Sequence, residues 1–233
     1  MMIIAVTALL CQQLNAQSYS GNEGTLRFFE LKDMDGGLIK TASEMGVNGS
    51  PMLFPDWSAG TIHFQSGKVF ADSAMNFSLY THTLFIKRDN RFFEIVQPVA
   101  SVTLRSHDEN ANEIIHTIKS GFPAVNGHDT TTMYEVLFEG ENLKVLTWAH
   151  KKVIETFNYG APRAKEYQLI QQFYVFIPQE NKITILNSYT VAALKKALPS
   201  YADAIQAYCT QHNINTKNKS QINELLAYLD SKH

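Results

Sequence analysis

The chain has 233 residues, with 20 Lys and Arg against 22 Asp and Glu, so its formal net charge is −2. Hydrophobic residues make up 45% of the chain, a share that is typical of a globular protein and argues against wholesale disorder. The near-neutral balance and the lack of basic runs remove the electrostatic reason to expect nucleic acid as a partner. Charged residues, at 18%, fall below the usual share of about 25%. A surface with few charges suits an extracytoplasmic protein.

The first residues have the pattern of a secretory signal peptide. Met1–Leu10 is apolar and uncharged, and it is shorter than the roughly 20 residues that cross a bilayer as a helix. The small residue Ala16 offers a cleavage point, so we predict a signal peptide over 1–16 and a periplasmic or secreted mature protein with no transmembrane span. A buried N-terminal strand or helix is the competing interpretation. Lipid anchoring at Cys11 is a minor alternative, because Leu10 stands where a lipidation motif has a small residue.

The first part of the predicted mature chain, which begins at Gln17, has one possible strand followed by a long loop. Leu26–Leu31 is apolar enough for a strand, and the glycines and prolines between Asp33 and Asp56 predict an irregular loop. Cleavage after Ala16 would also leave Cys209 as the one cysteine, which excludes an internal disulfide and leaves stability to the hydrophobic core.

From Gly60 onward the sequence alternates between apolar and polar residues in short runs separated by turn residues. Such runs at intervals of about 8–12 residues are typical of an antiparallel meander. The predicted strands lie within residues 61–64, 68–70, 75–80, 83–87, 91–96, 99–104, 113–118, 134–138, 143–148, 153–159, 167–177 and 182–186.

After Ser188 the apolar spacing changes to that of helices. One helix contains Val191 and Leu194 and ends at Pro199, and Ser200–Asp203 has the pattern of a capping box that opens a second helix. A third helix follows a cap at Asn218 or Ser220. We therefore predict an α+β fold, mainly antiparallel β: a β-meander or open barrel-like sheet over 17–187, with three short helices over 188–233 packed on it as part of the same domain.

No motif for catalysis, a metal or a cofactor is evident, so we name no catalytic residue, no metal ligand and no cofactor. The eight histidines lack metal-ligand spacing and are expected to be scattered over the surface. Cys209 and His212 can share a helix face, but the apolar neighbours of Cys209 favour a buried structural thiol. Glu135, Glu139 and Glu141 are close in sequence and are expected to be solvated.

Aromatic residues are the remaining candidate signal for function. In the run from Gln172 to Phe176, aromatics fall on both faces of one predicted strand, so one face fills the core and the other needs a cover. The C-terminal helices are the expected cover. The functional alternative is an apolar ligand held between a curved sheet and those helices, with Phe173 and Phe176 as candidate ligand contacts.

Several short segments resemble a pattern in uncharacterised secreted or periplasmic β-rich proteins of Gram-negative bacteria. The matching residues are Asn15–Gln17, Gly49–Pro51, Asp56–Trp57, Gly60–Phe64, Gly67–Phe70, Met75–Tyr80, Leu84–Lys87 and Ala197–Pro199. The resemblance covers about residues 47–231 and leaves out the segment 22–45. It implies export and a β-rich fold, and it transfers no catalytic residue because the family has no assigned activity.

These observations lead to one favoured hypothesis and two alternatives. We expect an exported, non-enzymatic cell-envelope protein that acts as a β-rich scaffold or binding module for an unknown envelope component. The first alternative is a periplasmic carrier of an apolar or lipid ligand. The less favoured alternative is an envelope hydrolase, which would need several carboxylates or histidines brought together by the fold.

Overall fold

The computed structural model describes residues 16–19, 26–30, 46–88, 91–107, 110–157, 163–214 and 218–232. The predicted signal peptide, apart from Ala16, and most of the predicted loop before Asp56 lie outside these residues. Eleven strands lie between Val47 and Leu186, and two further strands precede them. The strands are β1 Ala16–Tyr19, β2 Leu26–Glu30, β3 Val47–Asn48, β4 Ser58–Phe64, β5 Val69–Ser78, β6 Thr83–Arg88, β7 Arg91–Ile95, β8 Val99–His107, β9 Glu113–Lys119, β10 Tyr134–Glu139, β11 Lys144–Thr156, β12 Ala164–Ile177 and β13 Lys182–Leu186.

All of these strands belong to one sheet, in the order β1-β2-β7-β6-β5-β4-β8-β9-β10-β11-β12-β13. The pairings along this path are antiparallel, as the period of two predicts, and the short β3 adds a parallel pairing to β12. The expected open, mainly antiparallel sheet with meander segments is therefore confirmed. A two-residue strand within the predicted loop was not expected.

The sheet curls so strongly that two distant strands meet. The backbone N–H of Lys151 in β11 donates to the carbonyl of Leu79, just after β5, over 2.9 Å. The Lys151 ammonium donates to the carbonyls of Ser50 and Met52 at 2.9 and 2.6 Å, and burial lowers its pKa. The curl thus brings the turn between β5 and β6 against the middle of β11.

Three helices follow the sheet, as predicted: α1 Val191–Ala197, α2 Ala202–His212 and α3 Lys219–Asp230. Their apolar residues, including Leu194, Ile205 and Leu225, form one cluster with Val145 and Val175 of β11 and β12. We call this side of the sheet the helix face. The helices therefore cover one face of the long strands. This packing buries the apolar stripe of each helix, and such short helices would be unstable alone in water.

The opposite side of β11 and β12, the loop face, is covered by residues 121–133. Phe122 in that segment is buried against Leu146 and Tyr174 of the two strands. A third cluster, around Ile62, Phe77 and Leu104, fills the concave side of β4 to β9.

Local predictions at the helix ends had mixed outcomes. Asn218 caps α3, with its side-chain oxygen accepting from the N–H groups of Ser220 and Gln221. The predicted capping box at Ser200–Asp203 is wrong, because Pro199–Tyr201 forms a 3₁₀ turn and α2 begins at Ala202 without a side-chain cap. Among the residues that the structure describes, no helix combines the length and the hydropathy needed to cross a bilayer.

Candidate functional site

Two histidines far apart in sequence meet where the sheet curls. His82 lies in the turn after β5, and His150 lies in β11; His82 Nε2 is 3.1 Å from His150 Nδ1. Their rings are inclined by only 9°, and the indole of Trp148 lies parallel to both, with centroids 5.0 Å from His82 and 5.1 Å from His150. Since one nitrogen must accept for the other to donate, this hydrogen bond requires at least one neutral imidazole.

A third histidine reaches the same indole from the loop face. The ring centroid of His128, in the segment 121–133, lies 4.7 Å from that of Trp148. His128 Nδ1 is 2.8 Å from the hydroxyl of Tyr134, a fully buried residue of β10. Burial is the main cause that raises the pKa of Tyr134, so this phenol stays protonated and available as a hydrogen-bond partner. We call His82, His128, Trp148 and His150 the histidine–tryptophan cluster.

The cluster lowers the pKa of two of its histidines, His82 and His128. Burial, followed by the nearby His150 and His128, lowers the pKa of His82 to about 4. Burial also lowers the pKa of His128, although Asp129 acts in the opposite direction. His82 is therefore a neutral imidazole at neutral pH, able to donate or accept a hydrogen bond but not to attract an anion.

His82 also forms part of the wall of a cleft of about 390 Å³ at one end of the concave β4–β9 layer. This volume lies within the range of about 300–1,000 Å³ that is usual for small-molecule sites. The wall is contributed by the ends of β5 to β8, by the turns after β4 and β5, by the connection between β7 and β8, and by the 121–133 segment. Its residues are Gln65, Phe77, His82, Thr83, Leu84, Glu94, Ile95, Val96, Gln97, Pro98, Val99, Thr131 and Met133.

The chemistry of this wall is mostly apolar, with a few polar groups. Phe77, Leu84 and Ile95 are buried core residues that also present surface to the cleft. Among the lining residues, Glu94 is the one carboxylate, and none is Lys or Arg. Because His82 is neutral and no Lys or Arg lines the cleft, no lining side chain offers a positive charge, which disfavours an anionic ligand.

The structure places the two predicted ligand contacts on opposite faces of β12, and neither lines the cleft. Phe173 lies on the helix face, packed within the helix cluster, and its ring stacks on Tyr189 with centroids 6.0 Å apart. Phe176 lies on the loop face and packs edge-on against Phe122 at 5.3 Å. The helices thus cover one aromatic face and the segment 121–133 covers the other. A ligand role for either residue stays a prediction.

The other residues singled out in the sequence have structural partners. Cys209 shares the helix cluster and burial raises the pKa of its thiol, while His212 stacks on Tyr208 with ring centroids 4.1 Å apart. Glu139 accepts from the ammonium groups of Lys119 and Lys144 at 2.6 and 2.7 Å, so it is not a free, solvated carboxylate.

Sequence reasoning missed the histidine–tryptophan cluster, because it treated the histidines as scattered. His82, His128 and His150 belong to a turn, a loop and a strand, and no local spacing relates them. Only the curl of the sheet brings them together. Within the described parts of the chain, no group of three or more His, Cys, Asp or Glu has a geometry that could hold a metal ion.

Comparison with protein-family models, with curated proteins and with solved structures finds no match to this chain. The fold and the cleft are therefore interpreted from their own geometry and chemistry.

Proposed function

We propose that this protein is an exported binding module of the cell envelope, and that the cleft beside His82 holds a small, mainly apolar ligand. The observation that carries the proposal is the composition of the wall. Buried apolar side chains such as Phe77 and Leu84 form its base, and a few polar groups stand at its side. This combination is typical of sites that take up an apolar body and orient it by a few hydrogen bonds.

Charge narrows the class of ligand. No Lys or Arg lines the wall, and the neutral His82 offers a hydrogen bond without a positive charge. A neutral or cationic ligand avoids the cost that a carboxylate or sulfonate would meet when it is desolvated in a wall without a cation. The ligand class that fits is therefore an apolar molecule with a hydroxyl, amide or amine group, rather than a free fatty acid.

The proposal is tested with the neutral fluorescent dye Nile red, titrated into the purified protein. Val96 lines the cleft and is 38% exposed, so Val96→Trp fills the cleft from its rim without disturbing the core. We expect saturable binding by the unmodified chain and at least a tenfold loss of affinity in the variant, the equivalent of about 1.4 kcal/mol. Ile185→Trp is the matched control, since Ile185 is exposed on β13 and does not line the cleft.

Two results would contradict the cleft proposal. One is the absence of saturable dye binding by a correctly folded chain. The other is equal binding by the Val96→Trp and Ile185→Trp variants, which would place the dye elsewhere.

Export is the second part of the proposal, and it is supported by the apolar run Met1–Leu10 and the small residue Ala16. Native mass spectrometry of the full chain, expressed in a Gram-negative host and recovered from its periplasm, tests it directly. We expect the mass of Gln17–His233. A retained N-terminal segment in a cytoplasmic fraction would contradict export, and an added lipid mass at Cys11 would replace a soluble module with an anchored one.

A further inference from the structure

Three polar side chains on neighbouring strands form a hydrogen-bonded chain on the same side of the sheet as Leu104 and Ile118 of the third cluster, outside the cleft. Ser106 in β8 has its Oγ 3.1 Å from Nε2 of His116 in β9. His116 Nδ1 is in turn 2.6 Å from Oε1 of Glu135 in β10. None of the three residues lines the cleft beside His82.

The strand register explains why these side chains meet. His116 pairs with Leu104, two residues before Ser106, and Glu135 pairs with Ile118, two residues after His116. Residues directly opposite one another, and those two apart on one strand, point to the same side of a sheet. Both contacts are therefore diagonal contacts between adjacent strands. The His and Glu side chains are long enough to bridge the distance between diagonal positions.

Proton positions along this chain follow from the chemistry of its members. An ionised carboxylate can only accept, so Glu135 holds the proton of a neutral His116 on Nδ1. Nε2 then has a free lone pair, and the hydroxyl of Ser106 is the group that donates to it. A hydroxyl, an imidazole and an orienting carboxylate in this order are the parts of an activated serine nucleophile.

The surroundings leave the chain within reach of a small molecule and give it apolar neighbours. The side chains of His116 and Glu135 are 20% and 22% exposed. Phe54 packs edge-on against the imidazole, with ring centroids 4.8 Å apart. Ile114, directly opposite Ser106 in β9, is 40% exposed. An apolar acyl chain therefore has surface to contact beside the hydroxyl, at Ile114, and beside the imidazole, at Phe54.

We propose that Ser106 is the nucleophile of an acyl-transfer site that takes uncharged esters with an apolar acyl group. Ser106 Oγ attacks the ester carbonyl carbon, and its proton passes to His116 Nε2. The carbon–oxygen bond to the alcohol breaks, the alcohol leaves with that proton, and an acyl-serine remains. Water then attacks the acyl-serine with His116 as the base, which releases the carboxylic acid and restores the Ser106 hydroxyl. This activity goes beyond ligand binding in the cleft and would replace the expectation of a non-enzymatic protein.

A fluorophosphonate probe tests the nucleophile, because an activated serine displaces its fluoride and keeps the phosphonyl group. We expect one label per chain by intact mass, mapped to Ser106 by peptide sequencing of the unmodified protein. Ser106→Ala should abolish labelling with an unchanged melting temperature. The matched control is Ser101→Ala, because Ser101 lies in the same strand but points to the opposite face of the sheet.

Hydrolysis of p-nitrophenyl butyrate tests the base, and the rate of phosphonylation tests the positioning residue. His116→Gln removes the base and should lower the rate of ester hydrolysis at least a hundredfold, the low end of what general-base catalysis supplies. Glu135 acts through His116, so Glu135→Gln should slow phosphonylation at saturating probe about tenfold or more, without changing the probe concentration that gives half of the maximal rate.

No labelling of a folded chain would overturn the proposal, as would a label mapped to any residue other than Ser106. A Glu135→Gln variant with an unchanged phosphonylation rate would show that the hydrogen-bonded chain is structural. None of these outcomes bears on Nile red binding in the cleft, so the two proposals fail independently.

Discussion

The carboxylate of Asp230, at the end of α3, occupies the space that a β-carbon on Gly140 would need. From that position it accepts the backbone N–H groups of Glu141, Asn142 and Leu143 at 3.0, 2.8 and 2.8 Å. A single side chain therefore caps the turn between β10 and β11 and ties the last helix to the sheet. Gly140 is required at this turn by close approach, because any larger residue would displace the carboxylate.

Asp230→Ala should lower the free energy of unfolding by about 2 kcal/mol, because it removes three hydrogen bonds to a charged acceptor at a partly exposed site. Gly140→Ala should have a similar effect by displacing the same carboxylate. The double variant should lose less than the sum of the two, since both changes remove one set of contacts. Urea denaturation measures all three, with the exposed Glu224→Ala on α3 as the control. Fully additive losses would show that the contacts are independent.

Asn76 is a buried polar residue that we expect to matter for stability. It is 1% exposed, its Nδ2 donates to the carbonyls of Phe54 and Asp56, and its Oδ1 accepts from the N–H of Phe77. Asn76→Ala leaves these backbone groups without their partner, so the free energy of unfolding should fall by about 2–3 kcal/mol. Urea denaturation measures this loss, and Ser73→Ala at an exposed position of the same strand is the control. Equal stability of the Asn76→Ala and Ser73→Ala variants would contradict the prediction.

The histidine–tryptophan cluster predicts a loss of stability in acid. The pKa of His82 is lowered to about 4 in the folded chain, chiefly by burial, whereas in the unfolded chain it returns to its usual value near 6.5. The unfolded state therefore binds more protons between these values, and the contribution of His82, complete above pH 6.5, is lost as the pH falls toward 4. His150, His128 and Asp129 are the titratable groups facing or adjoining it, and only the first two lower its pKa.

The test compares urea unfolding at pH 7.5 and pH 5 for the unmodified chain and for His82→Asn. We expect a smaller acid-induced loss of stability in the variant, because its side chain does not titrate. His63→Asn is the control, since His63 is exposed on β4 and should leave the pH dependence as it is. Identical pH dependence in all three proteins would contradict a buried, neutral His82.

Glu94 predicts the charge preference of the cleft. Because it is the one carboxylate of the wall, Glu94→Gln should increase the affinity for the anionic dye anilinonaphthalene sulfonate by several-fold. Binding of the neutral Nile red should change little. The control Glu224→Gln alters the net charge equally but lies on α3, away from the cleft. Equal gains in the two variants would assign the effect to net charge alone.

The fold class was predictable because it depends on local patterns. Alternation with a period of two in runs such as Met75–Tyr80 identified antiparallel strands. The spacing of Leu225, Leu226 and Leu229 identified a helix with an apolar stripe that has to pack against the sheet. The lengths of the strands were harder to predict from the sequence. β11 runs unbroken from Lys144 to Thr156, across the polar residues His150–Lys152 that had suggested two separate strands. Thirteen paired residues with β12 outweigh those local preferences.

The sequence by itself determined that the chain folds into an antiparallel sheet with helices, because periodicity and turn residues act over a few positions. Only the tertiary structure decided the candidate sites. The contact between Leu79 and Lys151 that brings His82 to His150 depends on the curl of the whole sheet. Likewise, Ser106, His116 and Glu135 meet through the registers of three strands, which are set by hydrogen bonding and packing between distant segments rather than by local spacing.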